Sequence, residues 1–393
     1  MIQLAGTFRA EYIWSYLPNP WMFAFLIHAF PLFGASVSFL TWRKNTRKVF
    51  KRIVNSQLYI RARNKVVIIL FACIIISIIA YLYYIPFYQT GLWAVFTDFT
   101  NAAQARENSL KLISNPLIKY SYLFVLKVFS PLLSVVFFNR FIFSMKKKSP
   151  IKAIVYIALL LGLLVGVSFS GARTPAAYII LIIYFSFLLR KGLPINPFYT
   201  IAAFIIVLSL PTVLTLWREG KEVNAFLFWN YLSSAMLQRL FHLPMLTGLW
   251  HIHYAQNQGF IGIAGIPKLA VLLNIEPINM ANLVGITYTN SRIESVSANT
   301  CYLFSYYSYF GWLSFPICLL GLWLLDYSIW IYRQLSDIML LPCVASASLS
   351  SLFCISSDYT TVWLTHGFGI ILILSLVLDI WCTHKKTSFN SKI

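Results

Sequence analysis

"AIVYIALLLGLLVGVSFSGARTPAAYIILIIYFSFLL", residues 153–189, decides the fold. Two long apolar runs flank one charge, Arg173. Neither run alternates apolar with polar, so neither reads as a barrel strand. As helix, such runs suit the ~18–20 residues that cross a ~30 Å hydrocarbon core. An arginine deep in that core is costly. The sequence around it supplies a turn instead. Gly171 suits a left-handed helix end, Thr174 an N-cap and Pro175 a first helical turn. The spacing predicts a tight helical hairpin with Arg173 at its mouth.

The whole chain has the same character. Of 393 residues, 59% are hydrophobic and 11% are charged, with a mean hydropathy of +0.73. A soluble protein carries about 25% charged residues. The reading is an all-α polytopic integral membrane protein, one domain over 1–393. Spans are expected near 20–42, 66–88, 121–143, 153–170, 175–189, 198–217, 301–325, 338–357 and 361–382, about nine transmembrane helices.

The formal charge of +20 does not point to nucleic acid. The cations sit in short blocks beside apolar runs, the positive-inside pattern. Arg43, Lys44, Arg47, Lys48, Lys51, Arg52, Arg61, Arg63 and Lys65 crowd the loop 43–65 with no acid. Arg140, Lys146 to Lys148, Lys152, Arg190, Lys191 and the tail lysines fall on the same side. That side is cytoplasmic. The N-terminus is then outside and the C-terminus inside. No basic n-region or small-residue cleavage site marks a signal peptide. The six cysteines are scattered without a C-x-x-C pair and read as small buried residues.

Two outer loops exceed turn length, 89–120 and 218–300, and long loops tend to carry function. In the second, "FLFWNYLSSAMLQRLFHLP" has helical spacing and reads as an interfacial helix. "QGFIGIAGIPKL" reads as a close-packed or re-entrant turn.

Candidate site residues gather on this outer side. Arg173 stands beside the free N–H groups of a helix start, which with a guanidinium make an anion site; the plainer reading is an arginine reaching to headgroup phosphate. Arg218 and Glu222 share "LTLWREGKEVN", as a phosphate contact and a base or as an ordinary solvated turn. Arg239 and His242 stand i, i+3 on an apolar helix and need an anionic partner. Arg292 precedes Asn299, Tyr302 and Tyr306, either saccharide-binding groups or an interfacial tyrosine belt. "HIHY" gives His251 and His253, which could ligate metal on a strand but lack further ligands, so no metal is expected. His28, Asp358 and His366 read as local polar partners. No Walker or dinucleotide fingerprint is present, and no cofactor is expected.

Two of these stretches resemble a known family. "SGARTP" looks like the S-G-[SA]-R-[ST] hairpin of the O-antigen polymerases, the Wzy-type oligosaccharide repeat-unit polymerases. "SANTCYLFSYYSYFGWLS" is similar to their "AN…Y…FG…G" approach to a late span. Ala172 and Ser314 depart from the commoner serine and glycine. The layout of many spans with one large periplasmic loop also matches. The resemblance implies a fold like that of lipid-donor membrane glycosyltransferases, in the bacterial inner membrane. It implies surface-polysaccharide or lipopolysaccharide biosynthesis. A growing glycan would pass from undecaprenyl pyrophosphate to the non-reducing end of another lipid-linked repeat unit. The implied partners are that lipid-linked oligosaccharide, the bilayer and a chain-length-regulating membrane protein. That chemistry suits the residues already singled out, Arg173, Arg218, Arg239, His242 and Glu222 as catalytic groups, with Arg292, Asn299, Tyr302 and Tyr306 binding substrate. An O-antigen ligase-like transferase shares this layout. A transporter or flippase would instead place charges at mid-membrane and show two related halves.

Overall fold

A computed structural model describes residues 64–97, 112–171, 173–191, 224–234, 243–289, 298–335, 337–355, 357–365 and 367–374, with scattered single positions elsewhere. Among them all regular structure is helical and no strand occurs. In chain order the α-helices are α1 (Asn64–Tyr84), α2 (Gly91–Thr97), α3 (Pro116–Lys146), α4 (Pro150–Ser168), α5 (Arg173–Lys191), α6 (Ala225–Tyr231), α7 (Leu243–Gln258), α8 (Pro267–Leu272), α9 (Met280–Thr289), α10 (Tyr302–Phe310), α11 (Ser314–Gln334) and α12 (Asp337–Leu352). Four stretches are long and apolar enough to cross a membrane: Val67–Tyr84, Pro116–Lys146, Pro150–Ser168 and Tyr302–Tyr332. Pro175–Arg190 and Leu340–Ser350 are shorter apolar helices. These six coincide with expected spans. The expected spans 20–42 and 198–217 lie outside the described residues except at scattered positions, whereas 361–382 is described over 361–365 and 367–374, where a π turn at Thr361–Thr365 and Gly367 at φ +84° interrupt the regular helix expected there.

Two boundaries moved, each for a local reason. The span expected over 66–88 stops at Tyr84, because Pro86 disfavours helical backbone at Ile85 and a 3-10 turn follows at Phe87–Gln89. The span expected from 121 starts at Pro116. There the Asn115 side chain accepts the Leu117 N–H at 2.9 Å, and proline occupies the first helical position. The segment 218–300, expected as one large loop with a single helix, holds α6 to α9. The expected glycine-rich turn is present as a 3-10 turn, Gly262–Gly265, with Gly259 at φ +91° and Gly262 at φ +61°.

The described residues form two compact units. One, the hairpin unit, gathers the described parts of Lys44–Leu193, Ser328–Leu352 and Val362–Ile393. In it α3 packs along α4, α5 and α12. Tyr81 stacks on Tyr122 at 4.0 Å between centroids, and the Tyr122 hydroxyl donates to the Gly166 carbonyl at 3.3 Å. The outward faces of α1 and α4 are apolar, with Ile68, Ile76, Ile79, Ile151, Ile154, Leu161 and Val165 exposed. Side chains of this kind are stable outward only where the surroundings are not water.

Within α3, Val125–Phe129 forms a π turn. Pro131 explains it. Proline has no N–H to give the Lys127 carbonyl, and its ring clashes with that carbonyl in a regular α-helix. The wider turn relieves the clash, with the Ser130 N–H bonded back to the Val125 carbonyl.

The other, the tyrosine unit, gathers the described parts of Met1–Arg43, Pro194–Tyr327 and Phe353–Thr361. Its centre is α7 against α10 and α9. Glycines let aromatic rings approach backbone. A Cβ on Gly248 would stand 2.3 Å from Phe304, on Gly265 2.5 Å from Tyr309, and on Gly321 2.4 Å from Tyr359. Phe304 is fully buried and cannot retreat. Gly248→Val is therefore expected to cost about 2–3 kcal/mol through overpacking. A fall of several degrees in the detergent-solubilised melting temperature checks this. An unchanged melt would show that α7 and α10 do not meet as described.

Candidate functional site

The hairpin at Ser170–Arg173 is built by two glycines. Gly171 has φ +71°, and its N–H donates to the Ser168 carbonyl at 2.8 Å. Gly91, the first residue of α2, lies against it. A Cβ on Gly91 would come within 2.4 Å of the Ser170 carbonyl oxygen, and one on Gly171 within 2.5 Å of the Gly91 carbonyl carbon. The Leu92 N–H donates to the Phe169 carbonyl at 3.3 Å, and Phe87 meets Phe169 edge-on at 6.0 Å. The first long loop is thus docked on the hairpin, a contact that reading each loop alone did not reveal.

Arg173 is the first residue of α5, the helix-start position expected for it. Thr174, the expected N-cap, lies inside the first turn, one residue past the helix start. The left-handed Gly171 reverses the chain soon enough for α5 to begin ahead of Thr174. Pro175 still falls in the first turn, where its missing N–H is no loss.

The far ends of α4 and α5 are basic. Arg190 donates from Nη1 to Asn139 Oδ1 at 2.8 Å, and Asn139 Nδ2 donates to the Val135 carbonyl at 2.7 Å. The Arg140 guanidinium lies 5.8 Å from the Tyr156 ring centroid. Lys146, Lys147, Lys148 and Lys152 are exposed at the α3–α4 turn. At ~1.5 Å per residue, the 19-residue α4 separates this end from Ser168 by about 28 Å.

Asn299, Tyr302 and Tyr306 lie in the tyrosine unit. Asn299 is exposed, and its carbonyl accepts the Thr247 hydroxyl at 3.0 Å. Thr300 donates to the Pro244 carbonyl at 3.2 Å. These bonds fasten the start of α7 to the segment ahead of α10. Tyr302 and Tyr306 are buried, so they do not form a surface belt. Tyr359 packs on both, at 4.6 Å and 5.9 Å between centroids, and donates to the Cys318 carbonyl at 3.1 Å. Tyr306 bonds Thr360. Asp358 acts as expected, as a local partner. Its carboxylate accepts the Thr360 hydroxyl at 2.6 Å and the Thr361 N–H at 2.7 Å. Sequence reading did not single out Tyr359. No spacing rule links it to Tyr302 across so much chain.

Arg218, Glu222, Arg239, His242 and Arg292, with His28 and His366, lie outside the described residues. Arg173 belongs to the hairpin unit, and Asn299, Tyr302 and Tyr306 to the tyrosine unit. Among the described residues, no three of His, Cys, Asp and Glu gather as a metal site. Cys301, Cys318, Cys343 and Cys354 make no disulfide and are buried, as expected, whereas Cys73 is exposed on α1.

His251 and His253 sit on a helix, not a strand, so they point to different faces of α7. His251 is buried. Its Nε2 donates to the Ala298 carbonyl at 3.0 Å, and Nδ1 meets the Ser308 hydroxyl at 3.3 Å. Burial pushes its pKa down to about 4. An unfolded histidine titrates near 6.5. The folded chain is thus favoured fully above pH 6.5 and loses stability as pH falls from 6.5 through 4. The expected loss is about 3 kcal/mol. Melting temperature against pH checks it, and His251→Gln should flatten the curve in that window.

No family model matches the chain, and neither a curated protein nor a solved structure does.

Proposed function

We propose that this chain polymerises lipid-linked oligosaccharide repeat units into a surface polysaccharide, O-antigen or a relative. The reading places it in a bacterial inner membrane with about nine spans and the segment 218–300 on the periplasmic side. The observation that supports it is the position of Arg173. It opens α5 at a glycine-built hairpin, at the opposite end of α4 from the exposed lysines.

Under the positive-inside rule the lysine end is cytoplasmic and the hairpin end periplasmic. A prenyl pyrophosphate has its tail in lipid and its charge at that interface. Bond cleavage at the sugar's anomeric carbon sends the electron pair to the pyrophosphate oxygen. The acceptor hydroxyl forms the new bond to the same carbon and gives up its proton. Negative charge therefore grows on the leaving group in the transition state. An arginine there lowers the barrier more than it tightens ground-state binding. Arginine fits phosphate oxygens with two parallel bonds and remains charged. In this proposal Arg218, Arg239 and Arg292 are further phosphate contacts, and His242 or Glu222 takes the proton.

The test is a polysaccharide gel of a strain deleted for the gene. Deletion should leave one capped repeat unit and no longer chains, and the wild-type gene should restore the ladder. Loss of the single repeat as well would favour ligation or flipping. An unaltered ladder in the deletion would end the proposal.

A further inference from the structure

The face of α7 opposite His251 carries a second cluster, and the two histidines differ in kind. His251 is sealed in, bonded to a backbone carbonyl and a buried serine. His253 is half-buried, and its neighbours include the side chains of Asn257 and Tyr288. Asn257 Nδ2 lies 3.0 Å from His253 Nε2 and 3.4 Å from Nδ1, and Nδ1 shares a hydrogen bond with the Tyr288 hydroxyl. Tyr288, on α9, stacks on Trp250 with centroids 5.4 Å apart and planes 7° from parallel. Asn257 is exposed, and Trp250 and Tyr288 are half-buried.

We propose that Trp250, His253, Asn257 and Tyr288 form a saccharide-binding subsite. Pyranose rings present C–H faces and equatorial hydroxyl edges. Aromatic rings take the first. Both His253 nitrogens are bonded within the cluster, so the exposed Asn257 amide and the Tyr288 hydroxyl supply the donors and acceptors for the second, with His253 holding them in place. A ring pair fixed between two helices is ordered before ligand arrives, so little freedom is lost on binding. The cluster holds no carboxylate or cation among these four groups, which suits a neutral sugar unit and not the pyrophosphate. The subsite deepens the polymerase reading and rests on it for the class of glycan offered.

The test uses the full chain in lipid nanodiscs. The probe is the host strain's repeat-unit oligosaccharide, released from its carrier by mild acid. Trp250→Ala, His253→Ala and Asn257→Ala should each weaken binding at least tenfold, while Lys152→Ala, an exposed lysine at the start of α4, binds as wild type does. Tyr288→Phe keeps the ring stack, loses the hydroxyl and should fall between. Asn257 is exposed, so its variant tests binding without disturbing the packed interior. Variants that all bind like wild type would overturn the subsite. So would a wild-type chain that builds the ladder in cells yet does not bind the probe. Binding that is lost in the variants, in a protein whose deletion leaves the ladder intact, would keep the subsite and reject the polymerase reading.

Discussion

Arg173→Ala is expected to leave cells with a single capped repeat unit and no ladder, at normal protein levels. Arg173 is the first residue of its helix, a position from which its removal should not unfold the chain. What it removes is charge where a pyrophosphate would depart. Losing one preorganised group of that kind costs about 10²–10³-fold in rate. A polymer is assembled by repeated transfer, so such a drop suppresses long chains far more than short ones. Arg173→Lys keeps the charge and loses the two-pronged fit. It should give a shortened ladder, between alanine and wild type. Gel electrophoresis of the polysaccharide with parallel quantification of membrane protein checks both. A full ladder in the alanine variant would reduce Arg173 to a headgroup anchor.

Gly171→Ala should be at least as damaging, through structure. Its φ of +71° is unfavourable for any residue with a Cβ, by about 1–2 kcal/mol. The added carbon would also stand 2.5 Å from the Gly91 backbone, which has no flexible end to swing aside. Together these cost about 3–4 kcal/mol, equivalent to a fall of about 10 °C in melting temperature. Gly91→Ala should approach this through the same contact, with less backbone strain. A melt unchanged in both variants would mean that the two loops are not docked.

The apolar runs made α1, α3, α4, α5 and the α10–α11 stretch legible in sequence, because a membrane-length helix needs only continuity of apolar residues. The Gly171 turn was legible too, because left-handed backbone has a residue signature. The π turn over Val125–Phe129 was not, since Pro131 alone does not say whether a helix kinks, breaks or widens. Nor was the division of 218–300 into α6 to α9, whose short helices are interrupted by glycine and proline and carry no long period. Tyr302 and Tyr306 were visible as tyrosines, but their burial depends on Tyr359 and on Gly321, contacts made across distant parts of the chain. His251 and His253 looked like a pair in sequence, and helical geometry separates them.

The π turn in α3 also makes a seam in that span. It holds one residue more than an ordinary helical turn. Deleting a residue within it would restore a regular turn and bring the Pro131 ring back against the carbonyl four residues earlier. Deleting one farther along would swing every later side chain by about 100° and carry the buried Leu133 and Phe137 out of their packing. The length of this helix is therefore held at this place by the proline that forbids the regular turn.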